Sequence, residues 1–138
     1  MEREDSALEE LSPDECLRLI ATVPVGRICY TTQAMPAVDP VNFLVDGDVI
    51  VIRTDFGGKL AAATRRAVVA FQADNLDPVT RSGWSVSVVG TSAEVSDPAE
   101  VTRLEKLGLE TWAPGIRDHF IKITPGMVTG RRLRRAAG

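Results

Sequence analysis

The chain has 138 residues, 44% of them hydrophobic and 25% charged, which suits a single globular domain with a real core. Its net charge of −3 argues against a general nucleic-acid binder, and no apolar run approaches the roughly 20 residues of a membrane helix. The acidic start lacks the apolar segment of a secretory leader, so a cytoplasmic protein away from membranes is expected.

Charge gathers at the two ends. Residues 1–15 hold seven acids against Arg3, and Arg131, Arg132, Arg134 and Arg135 crowd the other end. Segments 1–10 and 131–138 are therefore expected as solvated acidic and basic tails on one domain, 1–138. The basic end could instead meet a phosphate or an acidic surface. Cys16 and Cys29 lack CxxC spacing and metal-ligand companions, so reduced, buried thiols are expected.

In chain order, Ser12-Pro13-Asp14-Glu15 opens a helix: Ser12 supplies a cap, Pro13 suits the first turn, and Glu15 completes a capping box. That helix must end before Pro24. Val25 to Thr31 reads as a strand with apolar residues on both faces, hence one packed on both sides. Val41 to Val45 and Val49 to Ile52 are two strands joined at Asp46-Gly47-Asp48, a strong hairpin signal.

The second of these strands runs into Arg53-Thr54, then Gly57-Gly58-Lys59 and a short helix from Leu60 to Arg66. A cation, a hydroxyl, two bare amides, a lysine and a helix N-terminus within seven positions make an inexpensive phosphate site. Equally, the loop needs two glycines simply to turn, with Arg53 and Lys59 solvated. Ala67 to Ala73 and Gly83 to Val89 are further strands. Apolar parity slips beyond Gly90, the mark of a bulge or a barrel corner. Asp97-Pro98-Ala99-Glu100 repeats the helix-start grammar, and Gly108 closes that helix. Trp112-Ala113-Pro114-Gly115 is a rigid turn, His119 to Thr124 a last strand, and Pro125-Gly126 a turn into Met127-Val128-Thr129. About six hairpin-linked strands with two to three short helices predict a mainly β, six-stranded antiparallel barrel.

Side-chain catalysis has little support. His119 is the single histidine, which excludes a histidine-rich metal site and leaves either a satisfied strand residue or a haem axial ligand. There is no Walker loop, dinucleotide fingerprint or site-like carboxylate pair, and no catalytic side chain is assigned. Trp84 and Trp112 could be core or interface residues. Two tryptophans near loops in a chain with 5% aromatics also suit a flat conjugated ligand with a phosphate tail, which would carry the chemistry itself.

The ordered series LSPDECLRLI, VGRI, PVNF, VIRT with GGKL, SGWSVSVVG, WAPG and VTGRRL resembles the pyridoxamine 5′-phosphate oxidase-like proteins, from Leu11 to Leu133. The resemblance implies a split β-barrel homodimer binding FMN in clefts between protomers. It implies that Pro40, Val41, Asn42 and Phe43 run beside the isoalloxazine ring. Arg53, Thr54 and Lys59 would hold the ribityl phosphate with the Gly57-Gly58 loop. Trp84 and Ser85 would border the same cleft, and Trp112 and Pro114 would cross the interface.

The implied activity is transfer of hydride or electrons between flavin and a small substrate. A deazaflavin variant could use the C-terminal arginines for its longer charged tail. The other readings are a storage or sensing protein for flavin or haem, and a ligand-free interaction protein. The chain is short for the founding oxidase, and VTGRRLRRAAG does not match that enzyme's substrate-binding end. Asp39 places a carboxylate where a flavin edge would lie, and Gln33-Ala34-Met35 lacks the glycine expected of its turn.

Overall fold

The computed structural model describes residues 7–54, 60, 64–115 and 119–134. The strands are β1 (Ala7–Glu10), β2 (Val25–Thr32), β3 (Met35–Asp46), β4 (Val49–Thr54), β5 (Ala67–Asp77), β6 (Ser82–Glu94) and β7 (His119–Arg134). Among the described residues the helices are α1 (Pro13–Ile20) and α2 (Pro98–Glu105), and the middle of the helix expected from Leu60 to Arg66 lies outside them. All strand pairs are antiparallel, in the order β1-β7-β4-β3-β2-β5-β6, and a β6–β7 pairing closes the ring. Six strands thus form the expected barrel, and β1 is a seventh added to β7.

That seventh strand corrects the expectation of two solvated tails. Residues 7–10 pair with 131–134, so the inner part of each tail completes the other's ladder. Opposite charges then meet: Arg134 reaches Glu9 at 3.1 Å, and Arg132 reaches Glu15 on α1 at 3.2 Å. The Ser12 hydroxyl accepts the Glu15 amide, the expected cap, but the Glu15 carboxylate goes to Arg132. Residues 1–6 and 135–138 lie outside the described residues.

The Pro125-Gly126 turn is also corrected. β7 is a continuous strand of 16 residues, and Val89 pairs with Met127 while Gly90 pairs with Pro125. Gly126 is the extra residue of a bulge opposite the expected phase change at Gly90. A Cβ on Gly90 would sit 2.2 Å from the Thr124 carbonyl oxygen, so the bend there requires glycine. β2 is not packed equally on its two sides. Ile28 and Tyr30 are buried, whereas Val25, Arg27 and Cys29 are only partly covered.

Inside the ring, Ile28, Phe43, Ile50, Ile52, Phe71, Val86, Val88, Ile121 and Ile123 form the main core, with Cys16 and Ile20 of α1. Each such fully buried side chain contributes roughly 1.5–3 kcal/mol. Phe43 and Phe71 meet edge-to-face at 4.7 Å between ring centroids. A second, smaller core of Val51, Leu104, Leu109 and Phe120 packs α2 on the outer side of β4 and β7. Arg103 fastens this helix to Asp46 at 2.6 Å and pairs within the helix with Glu100 at 2.7 Å, and Lys122 of β7 reaches Glu100 at 2.9 Å. Those cations draw the Glu100 carboxyl down to about 2. Among the described residues, no helix is long and apolar enough to cross a membrane.

Candidate functional site

The barrel opens where two neighbouring strands part. β3 pairs with β4 only from Phe43–Ile52 to Asp46–Val49, while its earlier half, from Met35 to Asn42, pairs with β2. Past Ile52, β4 stays with β7, as Arg53 pairs with Phe120 and Thr54 with His119. The two strands therefore diverge, and the wedge between them is a cleft of about 250 Å³. Asp39, Pro40, Val41 and Asn42 line one arm, Arg53, Thr54 and Leu60 the other. An adjoining hollow of about 190 Å³ shares Pro40, Val41 and Asn42 and extends to Val25 and Trp112.

A third segment roofs the wedge. The small outer core anchors Leu109, and the chain after it supplies Thr111 and Ala113 to the cleft. Asn42 pins this segment, its side-chain carbonyl accepting the Trp112 amide at 2.7 Å and its amide donating to the Pro24 carbonyl at 3.1 Å. Trp112 itself is 70% exposed at the mouth. Pro114, beyond it, is exposed too.

Arg53 is held rather than loose. Its guanidinium stacks over the Phe120 ring at 5.2 Å and donates to the Leu109 carbonyl at 3.3 Å. Thr54 beside it is buried. Gly57, Gly58 and Lys59, the rest of the expected phosphate loop, lie outside the described residues. Beyond that loop, Leu60, Thr64 and Ala67 are tied by hydrogen bonds. The Thr64 amide reaches the Leu60 carbonyl at 3.0 Å, and the buried Ser92 hydroxyl sits between the carbonyls of Thr64 and Ala67.

The model of the pyridoxamine 5′-phosphate oxidase family matches residues 12–132, spanning both arms of the wedge and its roof. The chain belongs to this family. It is 43% identical over 129 residues to the uncharacterised protein Rv0080 of Mycobacterium tuberculosis, covering 90% of this chain and 84% of that one. The FAD-binding protein of Mycobacterium smegmatis is 33% identical, with a TM-score of 0.73 over 93% of this chain and all of that one. A Corynebacterium glutamicum protein assigned to the pyridoxamine 5′-phosphate oxidases is 29% identical, with a TM-score of 0.84 over 100% of this chain and 99% of its own.

Within this family member, the sequence-marked residues divide. Pro40, Val41, Asn42, Arg53 and Thr54 meet at the cleft, whereas Phe43 turns into the core against Phe71. Trp84 is buried in the main core. Ser85 lines a separate hollow of about 510 Å³ with Leu11, Ser87, Thr129 and Arg131, on the outside of β6 and β7. One protomer therefore does not bring Trp84 and Ser85 to the Arg53 cleft. His119 pairs with Glu94, Nδ1 to Oε2 at 2.5 Å, one strand away from Thr54.

One pair was not anticipated. Tyr30, buried on the inward face of β2, donates its hydroxyl to Asp39 Oδ2 at 2.5 Å. Burial first, then the Asp39 acceptor and its charge, push the Tyr30 hydroxyl up to about 12, so it remains a donor. The signal was available: a turn at Gln33-Ala34 puts Tyr30 and Asp39 diagonally on one face of a hairpin.

Proposed function

We propose that this family member binds a flavin nucleotide in the wedge between β3 and β4 and passes hydride or electrons between it and a small substrate. The divergence of the two strands beyond Phe43–Ile52 carries the reading, because it sets a flat slot beside a cation already oriented by Phe120 and Leu109. FMN is the cofactor proposed. Arg53 and Thr54, with Lys59 from the neighbouring loop, would hold its phosphate, and Pro40 to Asn42 would flank its ring. FAD is the second reading, favoured by the flavin of the M. smegmatis relative. In either case the flavin would supply the redox chemistry, and the chain would bind it, orient it and limit water.

The same proposal includes a homodimer. The outward residues Val38, Cys29, Ala70, Val89 and Met127 are direct cross-strand partners, forming one apolar row across five strands. Val38 and Met127 are each 61% exposed on this row. A row of this length suits a self-complementary face. Val38 lies two residues from Pro40, so a second copy seated there would reach the open side of the cleft.

The test is the absorbance spectrum of freshly purified protein, with mass analysis of whatever is released on denaturation. Flavin bands and FMN support the reading, FAD selects the second one, and a Soret band lost in His119→Ala would replace flavin with haem. Light scattering should give a dimer that Met127→Arg dissociates; a flavin-loaded monomeric wild type would overturn the shared cleft.

A further inference from the structure

The cleft wall carries two opposite charges at separated places. Arg53 stands at the vertex of the split, next to the last β3–β4 pair. Asp39 stands three residues from Asn42 along β3, roughly 10 Å at the usual rise of a strand. Its carboxylate is not a random surface acid. It shares the inward face with Ile28 and Tyr30, lines the cleft, and has one oxygen fixed by the Tyr30 hydroxyl at 2.5 Å.

We propose that Asp39, held by Tyr30, is a positioning residue that sets the redox balance of the bound flavin by making the ring end of the cleft unfavourable to its reduced form. This rests on the flavin reading of the cleft. With its phosphate anchored at Arg53, a flavin would have its ring on the Asp39 side of the cleft, since both residues line it. Two-electron reduction takes up two electrons and, near neutral pH, one proton, leaving the ring with a negative charge. A fixed carboxylate beside that charge destabilises the reduced state and leaves the neutral oxidised state nearly untouched. The Tyr30 hydroxyl serves two ends. It locks the carboxylate in one rotamer, and by donating to it moderates the charge that the cleft feels. Its raised proton affinity keeps this donor in place through the physiological range.

The experiment measures dissociation constants of oxidised and dithionite-reduced FMN for wild type, Asp39→Asn and Tyr30→Phe, each first shown to be folded by circular dichroism. Asp39→Asn, which keeps the shape and an acceptor for Tyr30, should tighten reduced FMN about tenfold relative to oxidised FMN. For a two-electron couple that is a rise of about 30 mV in potential. Tyr30→Phe, which leaves the carboxylate charge unmoderated, should shift the ratio the other way. A folded Asp39→Asn protein that binds oxidised FMN with an unchanged or lowered ratio overturns the inference while leaving the cleft reading intact. A folded wild type that binds neither form overturns the cleft reading itself, and this inference with it.

Discussion

The side-chain carbonyl of Asn42 accepts the backbone N–H of Trp112 at 2.7 Å, joining residues 70 apart in sequence. With its amide on the Pro24 carbonyl, Asn42 braces three segments: the end of the α1–β2 connection, strand β3 and the roof of the cleft. Sequence alone suggested that Asn42 touches the ligand. The structure gives it a prior duty, that of holding the cleft's walls at a fixed spacing.

Asn42→Ala removes both bonds and leaves a backbone amide and a carbonyl without this partner. A loss of about 1–3 kcal/mol in unfolding free energy is expected, read from urea denaturation. Asn42→Asp keeps the acceptor for Trp112 and loses only the donor to Pro24. It should therefore fall between wild type and Asn42→Ala.

The β2–β3 hairpin should be improvable. Gln33 and Ala34 both have positive φ, 52° and 63°, as a two-residue turn of the primed type demands. Left-handed geometry costs a residue with a Cβ about 1–2 kcal/mol, more than the roughly 0.5–1 kcal/mol of extra chain entropy that glycine loses. Ala34→Gly should raise the urea midpoint, by about 0.5–1 kcal/mol of stability. An unchanged or lower midpoint would show that the turn carries no such strain.

Alkaline stability should depend on Tyr30. The folded chain holds the phenolic proton up to about 12, against an ordinary value of 10. Its contribution is therefore intact below pH 10 and declines as the pH rises from 10 toward 12. Tyr30→Phe should lower stability at neutral pH by about 1–3 kcal/mol, since the hydroxyl bonds a carboxylate. It should also flatten the alkaline decline, measured by thermal melts from pH 8 to 12.

Much of the fold was legible, for local reasons. Both helix starts carry their caps, Ser12 to the Glu15 amide and Asp97 to the Ala99 amide, because Ser-Pro and Asp-Pro leave few other conformations. Gly47, with φ of 66°, turns the hairpin where a glycine between acids said it would. Gly90 marked the bulge, although the extra residue is Gly126 on the partner strand. What stayed hidden was long-range. Nothing near Glu9 or Arg134 announces that they pair across the whole chain, so two ends that complete one sheet read as tails.

The candidate site was legible to the same degree. Arg53, Thr54 and Pro40 to Asn42 converge because they flank one hairpin, whose arms must separate if β4 turns to β7. Trp84 read either as a core residue or as a cleft aromatic, because alternation gives its face but not what that face meets, which is the core. The roof residues Thr111 and Ala113 carry no chemical signature, and long-range contacts bring them into place: Leu109 packed on Phe120 and the Trp112 amide held by Asn42.

A flavin anchored beside Arg53 can be measured by titrating folded apoprotein with FMN and following the quenching of flavin fluorescence. Wild type should bind, and Arg53→Ala should bind about 10- to 150-fold more weakly, as expected for a charge-assisted phosphate contact of about 1.5–3 kcal/mol. Arg53→Lys should fall between them, since it keeps the charge but loses the planar stack on Phe120. Equal FMN affinity in wild type and a folded Arg53→Ala protein would mean that Arg53 does not anchor the flavin.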